Sequence, residues 1–149
     1  MTPPLHGLAE SQLFSTLEQC DLVEAAARAV LERGPFPDDD ALCAAVDSVI
    51  LGLDDPTLTQ ALEAVPAPSV ERGDPDAHAA ALLAIRLYRD RFGYPFVSGV
   101  ATPTAEELLM RVRIRLGNDP EPENRAAREH LRRHVRRHIQ AAQDRVTAG

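Results

Sequence analysis

His130, His134 and His138 recur every four residues near the end of the chain, so on a helix they stack along one face. Two histidines at this spacing can share a zinc or nickel ion. Three cannot, because the outer pair lies about 12 Å apart on a helix rising ~1.5 Å per residue. There is no HExxH pattern, and Arg132, Arg133, Arg136 and Arg137 interleave with the histidines and repel a cation. The expectation is no metal and a solvated or helix-boundary stripe. The same arginines can clamp an acidic ligand or partner, although such a run more often forms a wet face paired with acids such as Glu129.

Three further places invite chemistry. Ser69 and Glu71 sit in a proline-rich connection, where a carboxylate entering a pocket can act as a general acid or base, with His78 to assist it. The plainer reading is two exposed polar residues in a turn. The run Asp38-Asp39-Asp40 can attract a metal but is better explained as helix capping, since carboxylates favour the positive end of a helix dipole. Cys20 and Cys43 are the only cysteines and form no CxxC pair, so neither a disulfide framework nor a cysteine zinc site is expected. No G-x-S-x-G elbow, phosphate-binding glycine loop or dinucleotide fingerprint is present.

The 149 residues suit one domain with a genuine core, and 44% are hydrophobic. Only 4% are aromatic and there is no Trp, so Leu, Val, Ile and Ala must build that core. The net charge is −7, with the acids concentrated before residue 100 and the arginines after it. An acidic body argues against nucleic acid as a partner, because phosphate binding needs a concentrated cationic surface. Met1 leads into Thr-Pro-Pro and not into a basic-then-apolar leader, and no apolar run approaches ~18 residues. The expectation is a soluble, cytoplasmic protein without membrane contact.

Helical periodicity runs through the whole chain, and no strand-like alternation occurs. After a loose lead-in over residues 1–8, helices are expected over about 9–19 (Leu13, Phe14 and Leu17 inward), from an Asp21 cap to Gly34, and from the Asp38 run to about Leu53. A short fourth helix starts at Asp55-Pro56, with Pro56 at its first position and Leu58, Leu62 and Val65 buried. Residues 66–75 break the pattern. A fifth helix opens at Asp74-Pro75 with Ala81, Leu82, Ile85 and Tyr88 on its core face, and stops at Gly93. The sixth is capped at Thr102 or, by the S/T-x-x-E capping box, at Thr104. The last runs from about Pro120 to Val146, and its apolar stripe can also serve a dimer seam. The class is all-α. Between the fifth and sixth helices lies an apolar loop, residues 94–100, fit to wall a pocket.

That loop carries a family likeness. Leu87 to Val97 reads L-Y-R-D-R-F-G-Y-P-F-V and resembles the Y-x-x-[KR]-F-G-[FY]-x-F-[IV] signature of 2-oxo-4-hydroxy-4-carboxy-5-ureidoimidazoline (OHCU) decarboxylases, enzymes of urate degradation that yield S-allantoin. Thr104 to Glu123 is similar to the next helix of that family and its R-L-x-N-D-x-E-x-E turn. The resemblance implies a single helical domain of about seven helices, commonly a homodimer, working on a small molecule without cofactor or metal. It places substrate contacts at Pro66, Phe96, Val97, Ser98, Gly99 and Val100.

The departures concern the chemistry. The family's catalytic histidine stands in an A-H-P motif, and here the matching residues are Ala64-Val65-Pro66. The S-x-x-E-Q loop of the family is shortened, with Ser69 to Arg72 an imperfect echo, and an arginine common after the F-V loop is replaced by Ala101-Thr102. Loss of a positioned proton carrier costs ~10²–10⁴-fold in rate. The expectation is therefore a protein that binds a small polar or carboxylated metabolite, with the parent decarboxylation lost or changed. Two alternatives stand beside it: an active decarboxylase with Glu71 or His78 as substitute acid/base, and an interaction protein using its arginine-rich last helix.

Overall fold

A computed structural model describes residues 3–67, 70, 73–100 and 103–148. The described residues are helical and contain no strand. A single 3-10 turn, Leu5–Gly7, precedes seven helices: α1 (Glu10–Gln19), α2 (Glu24–Leu31), α3 (Asp39–Leu51), α4 (Asp55–Ala64), α5 (Pro75–Phe92), α6 (Ala105–Leu116) and α7 (Pro120–Ala148).

Side-chain caps set most of the helix starts. Asp38, Asp54 and Asp74 accept hydrogen bonds from the backbone N–H of Ala41, Thr57 and Ala77 at 2.8, 2.7 and 3.2 Å. Thr104 does the same for Glu107 at 3.2 Å, so the capping-box residue starts α6; Thr102 lies outside the described residues. Each such cap contributes about 1 kcal/mol. Asp54 takes the cap of α4, which moves Pro56 to the second helical position. Gly93 stops α5 with φ of 84°, a left-handed conformation that glycine adopts without steric cost.

The helices meet in one apolar core. α5 and α6 pack along each other, α7 lies across α3 and α4, and α1, α2 and α3 pack in succession. Leu17, Val30, Leu42, Val46, Ile50, Leu58, Leu62, Leu108, Val112, Leu131, Val135 and Ile139 are all buried, so aliphatic side chains do most of the filling. Leu82 departs from its expected place: it faces outward and is 54% exposed, along with Leu83, while Ala81 and Ala84 take the core side of α5. No helix among the described residues is long and apolar enough to cross a membrane.

Asp21 does not cap α2. Val23 occupies that position, without a side-chain cap. Asp21 instead follows Cys20 at the end of α1 with φ of 66°, where its N–H bonds to Glu18 O and the Leu22 N–H bonds back to Leu17 O. This is the Schellman closure, whose left-handed position glycine usually fills. An aspartate held there accepts a steric cost, and its side chain has a use elsewhere.

Candidate active site

The loop after α5 is held from behind by a buried ionic cluster. Glu123, at the start of α7, is fully buried and accepts hydrogen bonds from Arg115 Nε at 2.7 Å, from Asn118 Nδ2 at 2.9 Å and from the Tyr88 hydroxyl. Arg115 also donates to the carbonyl of Val97 at 2.5 Å and lies 4.5 Å from the Phe96 ring centre. Tyr88 meets the Phe96 ring edge-on at 5.2 Å. Burial above all raises the Tyr88 hydroxyl far above its ordinary range, so it stays protonated and remains a donor. One carboxylate thereby joins α5, α6 and α7 and fixes where Phe96 and Val97 stand. The cluster gives Arg115, Asn118 and Glu123, around the turn between α6 and α7, one shared role in this chain.

The next turn of the loop is shaped by His130. Gly99 has φ of 72°, and a Cβ at that position would come 2.5 Å from His130 Nδ1. Burial, followed by the charge of Arg115, lowers the His130 imidazole to about 4, so it packs as a neutral ring beneath the loop. Its Nδ1 is buried without a hydrogen-bond partner among the described residues.

In front of the loop is a cavity of about 300 Å³. Pro66, Phe96, Val97, Ser98, Gly99 and Val100 line it on one side together with Val65 and Ala67, and Asp21, His134, Arg137 and His138 line it on the other. The apolar Val65 does stand in this cavity. The imidazoles opposite it come from α7, the helix whose histidine stripe the sequence suggests is merely wet. That stripe splits: His130 turns under Gly99, and His134 is 9% exposed.

His134 sits between two charges. Its Nε2 is 2.9 Å from Asp21 Oδ2, and its Nδ1 is 3.2 Å from the Arg137 guanidinium. A guanidinium only donates, so Nδ1 carries the lone pair and Nε2 carries the proton that Asp21 accepts. Burial is the main cause holding His134 below its ordinary range; Asp21 opposes the shift, while His138 and Arg137 add to it. His138 Nε2 lies 3.7 Å from the same Asp21 oxygen, and the two rings are 4.6 Å apart.

The ligand atoms of Asp21, His134 and His138 lie within 4.8 Å of one another, close enough to hold a divalent ion. Such an ion on His134 Nε2 would leave the proton on Nδ1, facing the Arg137 guanidinium at 3.2 Å. That electrostatic conflict makes the site a better host for an anion and a proton than for a cation.

The arginine cluster divides as well. Arg132 and Arg133 pair with Glu129, and Arg132 and Arg136 reach Asp47, which leaves little of the run free for an acidic macromolecule. Arg137 has no carboxylate partner among the described residues and donates to the Gly99 carbonyl at 3.1 Å. Of the acid/base candidates, Ser69 and Glu71 fall outside the described residues, and His78 lies in the first turn of α5, away from the cavity. Asp21 is the residue that sequence reasoning misses. No local signal marks it, since its partner is 113 positions away.

Comparisons with known proteins agree with this architecture. The model of the OHCU decarboxylase family matches residues 67–137, which include the pocket loop, the buried Glu123 cluster, His134 and Arg137 but stop short of Val65 and Asp21. The 2-oxo-4-hydroxy-4-carboxy-5-ureidoimidazoline decarboxylase of Amia calva is 38% identical over 53 residues, 36% of this chain and 30% of that protein. A crystal structure of (S)-allantoin synthase superposes with a TM-score of 0.75 over 92% of this chain at 19% identity, and the chain spans 52% of its length. The solved structure shows the shared helical fold, and residues 67–137 are similar in sequence to the OHCU decarboxylase family.

Proposed function

We propose that the chain binds a small carboxylated metabolite between α7 and the Phe96–Val100 loop and decarboxylates it without cofactor or metal. The substrate class is a ureido-bearing carboxylate of the kind named in its relatives, and the setting is urate breakdown. The observation that carries this reading is the meeting of Arg137, His134 and Asp21 with the Phe96–Val100 loop around one cavity. Arg137 supplies a charge for the carboxylate, the loop amides and Ser98 supply polar contacts for a ureido group, and Phe96 and Val97 exclude water. An imidazole from α7 stands in for the group replaced by Val65. The reading extends to assembly as a homodimer, which a monomeric mass by light scattering would remove.

A second reading, binding without turnover, draws support from Val65 itself, since a hydrocarbon moves no proton. One assay separates the two. Purified protein added to freshly generated ureidoimidazoline is expected to accelerate S-allantoin formation, followed by circular dichroism, above the uncatalysed decay. Decay unchanged by the protein supports the binding-only reading and removes the enzymatic one.

A further inference from the structure

We infer that His134 is the proton carrier of this cavity and that Arg137 keeps it blocked until an anionic ligand draws the guanidinium away. The inference deepens the binding reading above and rests on it. Its basis is geometric. In the free site the His134 Nδ1 lone pair is taken by the Arg137 N–H at 3.2 Å, and the Nε2 proton is taken by Asp21 at 2.9 Å. Both nitrogens are satisfied, and the ring has no freedom to accept a proton. Arg137 is the member of the trio that a ligand can draw off: it is partly buried and, besides His134, is held among the described residues by a hydrogen bond to the neutral Gly99 carbonyl and by no carboxylate.

A carboxylate entering the cavity pairs with Arg137 more strongly than a neutral imidazole does, because both partners of that bond are ionised and the pairing can be bidentate. Nδ1 is then free, and the anion adds a negative charge beside it. Asp21 already holds Nε2–H from the other side, as a buried carboxylate holds an imidazole in a catalytic triad. The imidazolium therefore forms where a carboxylate ligand is bound. The charged and titratable groups facing the ring are few: Asp21 from the α1–α2 turn, and Arg137 and His138 from α7. Val65, Pro66 and Ala67 after α4, and the Phe96–Val100 loop, bring no ionisable group.

The proton step then balances. The bond between the substrate carbon and its departing carboxylate breaks, CO₂ leaves, and the electron pair stays on that substrate carbon. That carbon takes the proton from His134 Nδ1, and the neutral imidazole regains one from water, so one proton is consumed for each CO₂ released. Asp21 acts as a positioning residue and Arg137 as the anion contact that couples loading to protonation.

The test is an NMR titration of His134 with and without hydantoate (N-carbamoylglycine), a stable ureido carboxylate. Hydantoate is expected to shift the Gly99 and Val100 amides and to raise the proton affinity of His134 about tenfold or more, the usual effect of an adjacent opposite charge. Arg137→Ala should raise that affinity without ligand and abolish the response, and Asp21→Asn should lower it. Amide shifts at saturation with no change in His134 protonation overturn the inference while leaving binding intact. No amide shift at any concentration overturns the binding reading itself.

Discussion

Asp21 and His134 lie 113 residues apart in sequence and meet at 2.9 Å in one wall of the cavity, where the aspartate occupies a backbone position that favours glycine. Non-glycine residues in the left-handed region cost roughly 1–2 kcal/mol. The side chain is kept for its contact and not for the turn. Asp21→Gly is accordingly expected to leave stability unchanged or to raise it by about 1 kcal/mol in urea unfolding. The same variant should lose the ligand-induced protonation of His134. A large loss of stability would mean that Asp21 serves the fold.

The buried cluster behind the loop makes the opposite forecast. Removing one partner of a buried ion pair strands the other, at a cost of about 3–5 kcal/mol. Arg115→Met should therefore destabilise by that amount and release the Val97 carbonyl. Glu123→Leu in the same chain should recover part of the loss, a non-additivity readable from a double-mutant cycle in urea. Equal and additive effects would show that the two side chains are not coupled.

Gly99 tests the packing under the pocket. Gly99→Ala meets both a positive φ and the His130 ring. In a His130→Ala background only the backbone cost of roughly 1–2 kcal/mol should remain, and the penalty in the parent chain should be larger. Identical penalties in the two backgrounds would put His130 out of contact.

His130 also sets an acid limit. It is lowered to about 4 in the fold against 6.5 when free, so the unfolded chain binds the extra proton between those values. Stability is then fully present above about pH 6.5 and falls as pH drops towards 4. Thermal unfolding followed across that window should show the decline, and His130→Leu should flatten it. A profile unaltered by the substitution would assign the acid sensitivity to other groups.

Much of the architecture was legible in the chain before any coordinates. The caps at Asp38, Asp74 and Thr104, the stop at Gly93 and the stripe Leu131, Val135 and Ile139 are local signals, and local signals survive folding. The loop Phe96–Val100 was legible as a wall by its apolar run and its family likeness. Long-range pairings were not. Asp21 reads locally as a cap because capping chemistry and a distant imidazole ask for the same side chain. Leu82 reads as core because its neighbours at helical spacing are core, while the packing of α5 on α6 rotates it outward. The histidine stripe reads as one face, yet Gly99 draws His130 to one side and Asp21 draws His134 and His138 to the other.

The most direct test of the central claim, that the proton carrier of this cavity resides on α7, is turnover of freshly generated ureidoimidazoline by the parent chain, His134→Gln and His78→Ala. His134→Gln is expected to lower kcat about 10²–10⁴-fold while hydantoate still binds, and His78→Ala to match the parent chain. A His134→Gln protein that turns over as fast as the parent would contradict the account.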